Sequence, residues 1–427
     1  MKRIPMVVSV LWGGIVGGLI PVVTAGEPAS PPAPSPAAKG PWEFTAALAV
    51  KETFDGNVYL QDVTSLARQE SMVTAITPSL GVTYQRTPAF KAAFSYAPDV
   101  VFYHAESSED HVAHRGSFNF TGKVRDTAWE MQNGVVWIDG DDQGPIFLAG
   151  GDIPVIGGVP LRDRRDAAIY RNSARVTRTI GPWFVRPLVT SYVHDFQTEQ
   201  HARTGAYAGY ENYVDRYEVG GGVDGGYKVF KNASLVMGYR YGHQGQRTLL
   251  GASSPYSNNY HRILAGVEGM LTDWLKVNVL AGPDLRDFPN ASPGFHGHEM
   301  LYFVDASVTI TPTKQDTVAL AIRRYEQPAF ASHSVYEDIT YDMAYRRKFG
   351  GKITAGAGVK VYAGDWQSPV NREDWIYTPS AALNYTFNKN LGAELAWSRD
   401  SAESRVPGTE GREFTRNLVS LGFKYTR

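Results

Sequence analysis

The feature that most restricts what this chain can fold into is a period of two running from Lys231 to Gly282. From Asn232 onward Ala233, Leu235, Met237, Tyr239 and Tyr241 take every second place, with Ser234, Gly238, Arg240 and Gly242 between them. Successive side chains of a strand point to opposite faces, so one face is apolar and the other small, polar or charged. The pattern returns as Ile263, Ala265 and Val267 against Arg262, Gly266 and Glu268. After a tight turn at Leu271 to Asp273 it runs again as Leu275, Val277, Val279 and Ala281 against Lys276, Asn278 and Gly282. A helical period is absent from the stretch.

The polar face carries isolated charges, whereas the apolar face is continuous and rimmed with Tyr and Trp. A soluble sandwich keeps its charged face outward and has loops of similar length at both ends. A transmembrane barrel turns its apolar face to lipid, lines its lumen with the polar one and marks both interfaces with aromatic girdles. The expected fold is therefore all-β, a transmembrane antiparallel up-and-down β-barrel.

The N-terminus agrees with export. Lys2 and Arg3 precede an apolar run from Val7 to Ile20, followed by Pro21 and Val23-Thr24-Ala25. A positive start, a short apolar stretch and small residues at the cut describe a signal peptide over residues 1–25. The run is too short for a good membrane anchor, and no second long apolar segment follows. Residues 26–41, rich in Pro and Ala, cannot bury a core and read as an extended periplasmic tether. The barrel is expected over 42–427. The chain has no cysteine and a net charge of −1, which argues against a disulfide scaffold and against nucleic-acid binding.

Short turn signals recur at Arg86 to Pro88, Arg125-Asp126, Gly181-Pro182, Lys231-Asn232, Thr272-Asp273, Thr313-Lys314, Gly350-Gly351 and Asn388 to Asn390. Longer polar connections lie between them, the longest from Asp139 to Asp166. Alternation of short turns with long loops is the topology of outer-membrane barrels, with the short turns in the periplasm. The count is about eighteen strands, with sixteen the neighbouring possibility. The last strand puts Val419, Leu421, Phe423 and Tyr425 on one face and Ser420, Gly422 and Lys424 on the other. Such an aromatic C-terminal strand resembles the signal read by the barrel assembly machinery.

Glu52 to Tyr59 (ETFDGNVY), with Ile76-Thr77-Pro78-Ser79-Leu80 and Phe94-Ser95-Tyr96, resembles a family of outer-membrane β-barrel porins of Gram-negative bacteria. Gly56 stands where that family's opening turn has a second Asp. The resemblance implies the outer membrane of a bacterial cell as compartment and a porin architecture, and it leaves the solute open.

The candidate site is the lumen. By alternation it displays Arg171, Arg175, Arg240, Arg262, Lys276, Arg323 and Lys360, opposed by Glu268, Asp305, Asp342 and Glu394. Charges at membrane depth need water or a counter-charge. Some pair across strands, and the modest lead of basic residues favours anions or neutral polar solutes. The Asp139–Asp166 connection is apolar at its centre and is expected to pack into the barrel mouth as a constriction loop, bringing Asp152, Arg162, Arg164 and Arg165 to the rim. Packing on neighbouring loops or on a partner is the alternative. Clustered Asp139, Asp141 and Asp142 lack the distal ligands of a calcium loop, and His296 and His298 lack carboxylate neighbours, so no metal and no cofactor are assigned.

Neither His333-Ser334 nor His194-Asp195 forms a dyad, since adjacent strand residues face apart, and no enzyme is expected. The expected function is a porin-like channel for small hydrophilic solutes set in outer-membrane lipid. The alternatives are a non-conducting surface scaffold or an exopolysaccharide-export accessory, and, less favoured, a lipid-modifying enzyme. Leu235→Arg should cost more than Gly238→Arg on this reading, since Gly238 would face an aqueous lumen.

Overall fold

The computed structural model describes residues 40–60, 62, 68–87, 89–140, 155–156, 159–160, 166–197, 214–247, 253–292, 295–329, 335–367, 371–405 and 413–427. Eighteen strands form one sheet: β1 Trp42–Asp55, β2 Ser71–Thr87, β3 Phe90–Tyr103, β4 His111–Val124, β5 Thr127–Asp139, β6 Ala167–Ile180, β7 Trp183–Phe196, β8 Arg216–Phe230 and β9 Ala233–Gln246. The second half comprises β10 Asn258–Thr272, β11 Leu275–Asp287, β12 His298–Ile310, β13 Asp316–Pro328, β14 Val335–Phe349, β15 Ile353–Trp366, β16 Arg372–Thr386, β17 Leu391–Arg405 and β18 Phe414–Thr426. Each strand pairs antiparallel with its neighbours in sequence, and β18 closes on β1 from Leu418↔Asp55 to Thr426↔Ala47. In the long β5–β6 connection Val155–Ile156 pairs with Val159–Pro160, apart from the barrel sheet.

Closure follows from where the strands sit. Hydrocarbon offers no partner to a backbone N–H or C=O, so a sheet that spans a bilayer must have no free edge. The short turns fall at the expected places. Arg125-Asp126, Gly181-Pro182 and Lys231-Asn232 are two-residue links, and the turn expected at Thr272-Asp273 is Asp273-Trp274, because Thr272 still belongs to β10. Gly269, at φ +121°, lies just before the register shift between Met270 and Thr272 that leads into that turn; a Cβ there would lie 2.1 Å from the Asn232 carbonyl. Only glycine fits so close a strand approach.

Side chains alternate about the wall as anticipated. On β9, Leu235, Met237, Tyr239 and Tyr241 lie exposed on the outer face, Met237 at 69%, while Val236 between them is 2% exposed. The same outward band carries Phe94, Met300, Tyr302, Val359, Leu395, Trp397 and Leu421. At the short-turn end the rings of Trp42, Tyr84, Phe90 and Trp129 follow one another at 4.7 to 6.2 Å, and Trp183 meets Tyr227 at 4.5 Å. An apolar outer belt edged with aromatic rings is the surface of an outer-membrane β-barrel.

Leu235→Arg, a charge placed on this belt, should destabilise the barrel by roughly 2 to 4 kcal/mol. Reversible urea unfolding in lipid vesicles measures it, with Leu235→Met as the neutral control. An equal cost for both variants would place Leu235 off the lipid face.

Candidate functional site: a narrowed polar lumen

One ladder of the barrel is short. β11 and β12 pair from Leu275↔Ile310 to Asp287↔His298, but β12 and β13 pair only from Ile310↔Val318 to Val304↔Arg324. Beyond Arg324, β13 leaves β12 while keeping β14 beside it as far as Pro328↔Val335. The freed hairpin leans across the lumen to β8, β9 and β11. There the Glu326 carbonyl accepts from Arg286 Nη2 at 2.9 Å and Gln244 Nε2 at 3.3 Å. The Pro328 carbonyl accepts from Arg216 Nη1 at 2.9 Å, and the Ala329 carbonyl from Gln246 Nε2 at 2.6 Å. Arg216 also reaches the Tyr336 hydroxyl at 3.2 Å. Above this seat Tyr256, Phe288 and Val335 form a buried cluster with Phe295 packed on it, so two further connections cap the hairpin.

Beneath it the inward side chains form a continuous polar assembly. Asp284 accepts from Arg286 at 2.8 Å and Arg262 at 3.0 Å, and Arg286 also donates to Gln244 Oε1 at 2.6 Å and Asn258 Oδ1 at 2.8 Å. The Tyr260 hydroxyl and Gln244 both donate to Glu218, at 2.8 and 3.1 Å. The Arg262 guanidinium lies between the Tyr260 and Phe303 rings, 4.0 and 4.6 Å from their centroids. Lower down, Asp224 is held by Arg186 at 2.9 Å and Arg240 at 2.6 Å, and Arg186 forks onto both Glu268 oxygens at 3.0 and 2.8 Å.

Glycines make the room. A Cβ at Gly242 would meet the Tyr260 ring at 2.4 Å, and one at Gly238 would meet Asp224 Oδ1 at 2.3 Å. Gly238 faces inward as expected, but onto the Asp224 carboxylate lying across it, so Gly238→Arg must displace that carboxylate and does not enter open water.

The opposite wall carries a second inward segment, the Gly56–Leu60 turn after β1. Asn57 Nδ2 donates to the Thr415 carbonyl at 3.0 Å, and the Gly56 N–H to the Asn417 carbonyl at 2.9 Å. Val58 and Tyr59 pack on Val73, Ala75, Val101 and Tyr103, while Leu60, at φ 55°, packs on Tyr362, Ile376, Ala402 and Phe414. The Tyr59 hydroxyl donates to Glu106 at 2.9 Å, and burial raises its pKa above the usual value. Asp55 gives both oxygens to Arg416, at 2.9 and 2.6 Å, so the acidic turn at the start of the chain is neutralised by a guanidinium from its end.

The eleven charges expected in the lumen stand on the inward-facing positions of their strands, opposite the exposed apolar ones. Arg240 and Glu268 join one network through Asp224 and Arg186. Asp305 lies directly across from Arg323, and Asp342 across from Lys360. Arg175 donates to Glu130 at 3.0 Å, and Arg171 lies 5.3 Å from the Tyr192 ring centroid. Lys276 faces Thr309, and Glu394 faces Gly422. Asp152, Arg162, Arg164 and Arg165 lie outside the described residues.

Arg186, Arg216, Gln244, Arg286 and Glu326 were not foreseen. A signal was present: Gln244-x-Gln246, Tyr260-x-Arg262 and Asp284-x-Arg286 put two large polar groups on one inward face at the same end of successive strands.

No family model matches the chain, and no curated protein matches it. Among solved structures it is similar to Pseudomonas aeruginosa OpdK with vanillate, at TM-score 0.43 and 8% identity over 90% of this chain and 99% of that one. It is similar to Acinetobacter baumannii OccAB3, at TM-score 0.42 and 10% identity over 90% and 99%. A third is Pseudomonas aeruginosa OccK2 (OpdF) in complex with glucuronate, at TM-score 0.45 and 9% identity over 90% and 98%.

Removing one member of a buried ion pair leaves the other charged and uncompensated, which typically costs about 3 to 5 kcal/mol. Arg186→Met should approach that cost, because it strips Glu268 of its cation, and Arg186→Met with Glu268→Leu should recover much of it, because Arg240 still compensates Asp224. Unfolding midpoints of the single and double variants check this. A double variant no better than the single would mean that the network is not the source of the loss.

Proposed function

We propose that the protein is an outer-membrane channel for small hydrophilic solutes, with a weak preference for anions or neutral solutes, narrowed by the β13–β14 hairpin and the Gly56–Leu60 turn. The observation that carries this reading is the inward face, which places charged side chains such as Arg240, Glu268, Lys276 and Asp305 on successive strands of an eighteen-strand wall. A wall of that many strands encloses more room than its own side chains fill. On this reading Arg171, Arg175, Arg240, Arg262, Glu268, Lys276, Asp305, Arg323, Asp342, Lys360 and Glu394 line the path.

The anion preference is supported at the short-turn end. Lys91, Lys228, Lys276, Lys348 and Lys424 occupy inward positions near the ends of their strands. Of the inward acids toward this end, Glu130 and Glu268 are engaged by Arg175 and Arg186, while Glu43 and Glu394 offset part of the lysine charge. Fixed positive charge at a pore mouth raises the local concentration of anions. The dense packing of the upper lumen favours the second reading, a closed scaffold. His194 faces inward toward Tyr192, 3.0 Å from its hydroxyl, while Asp195 takes the opposite face, so the pair assembles no catalytic dyad.

Planar-bilayer recording of the refolded protein tests the channel. Stable conductance steps with a reversal potential on the anion side of a salt gradient are expected, and silence at all voltages would favour the scaffold. Replacing Lys276, Lys348 and Lys424 together by Ala should move that reversal potential toward cations. The same shift is expected on replacing Arg162, Arg164 and Arg165, if the long connection contributes its charge to the mouth.

A further inference from the structure

The hairpin that leans into the lumen has left behind a vacant place in the wall. Every residue of β12 from His298 to Phe303 pairs with β11 on one side, yet none has a ladder partner on the other among the described residues. Continuing the β12–β13 register past Val304↔Arg324 would set Phe303 opposite Tyr325, Tyr302 opposite Glu326, Leu301 opposite Gln327 and Met300 opposite Pro328. Residues of an antiparallel strand turn both backbone polar groups to one edge, alternate residues to alternate edges. The carbonyls held by Arg286, Gln244 and Arg216 belong to Glu326 and Pro328, two residues apart and so on one edge. It is the edge that would face β12, since β13 keeps its pairing with β14 throughout.

We propose that the upper β13–β14 hairpin is a flap with two seats, one in the lumen as seen in this structure and one in the wall, where Tyr325–Pro328 completes the ladder with Met300–Phe303. In the lumen seat, side chains from β8, β9 and β11 supply the hydrogen bonds that the β12 backbone supplies in the wall seat. The exchange therefore conserves bonds to the strand edge, which allows two packings to lie close in free energy. Pro328, with no N–H, loses nothing at the new edge. The lumen seat is held from above by the cluster of Tyr256, Phe288 and Val335, so loosening that cap shifts the population outward. The consequence for permeation rests on the channel reading, since moving the hairpin into the wall widens the upper lumen; the movement itself does not depend on it.

The chain has no cysteine, so paired cysteines report the seat directly. Leu301→Cys with Gln327→Cys become neighbours only in the wall seat, and Ser307→Cys with Ala321→Cys are neighbours already. Under mild oxidation in membranes the control pair should crosslink fully. The test pair should crosslink more slowly, several-fold faster when Phe288→Ser is added, and its conductance should be larger oxidised than reduced. A test pair that stays free while the control closes overturns the flap. A crosslink that leaves the conductance of a conducting protein unchanged overturns its role as a gate. A crosslink in a protein that never conducts supports the flap and removes the channel reading instead.

Discussion

The structure depends on one constraint, that a backbone amide in hydrocarbon must find its partner within the protein. Closure of β18 on β1 satisfies it for the sheet as a whole, and the unbroken register of most neighbours satisfies it strand by strand. The same constraint makes the short β12–β13 ladder informative. Where the wall gives up backbone bonds, the protein compensates with Arg286, Gln244, Gln246 and Arg216, whose side chains reach the freed carbonyls from across the lumen.

Once the lumen holds that many guanidinium groups, their surroundings are determined by desolvation. Each buried arginine needs carboxylates or carbonyls around its plane, and Asp224, Asp284, Glu268 and the Glu326 and Pro328 carbonyls supply them. Large side chains lying across the wall then need clearance, which Gly238 and Gly242 provide. Polar pairing, glycine placement and narrowing of the lumen are thus one arrangement seen at three scales.

The wall was legible in the sequence because lipid imposes the simplest of patterns. Leu235, Met237, Tyr239 and Tyr241 read as one face without reference to any other strand, and Gly181-Pro182 and Lys231-Asn232 read as turns from local chemistry alone. The inward face was legible only as a set of directions. That Asp305 meets Arg323 follows from a hairpin and could be inferred; that Arg216 meets Pro328 could not, since the two are brought together by a bend of β13 away from its sequence neighbour. Gly238 shows the limit within one hairpin. Asp224 stands directly across from it and could be inferred in the same way, but that Arg186 and Arg240 hold that carboxylate over the glycine could not.

The Asp55–Arg416 pair joins the first strand to the last. A nascent barrel carries Asp55 from its earliest stage of synthesis, yet its counter-ion arrives only with the final segment of chain. Until β18 docks, that carboxylate lacks the guanidinium that permits its burial, and the Gly56–Leu60 turn lacks the backbone it leans on at Thr415 and Asn417. Docking of β18 is thereby coupled to ordering of the mouth, so that a barrel lacking this strand loses its inward turn as well as its seam.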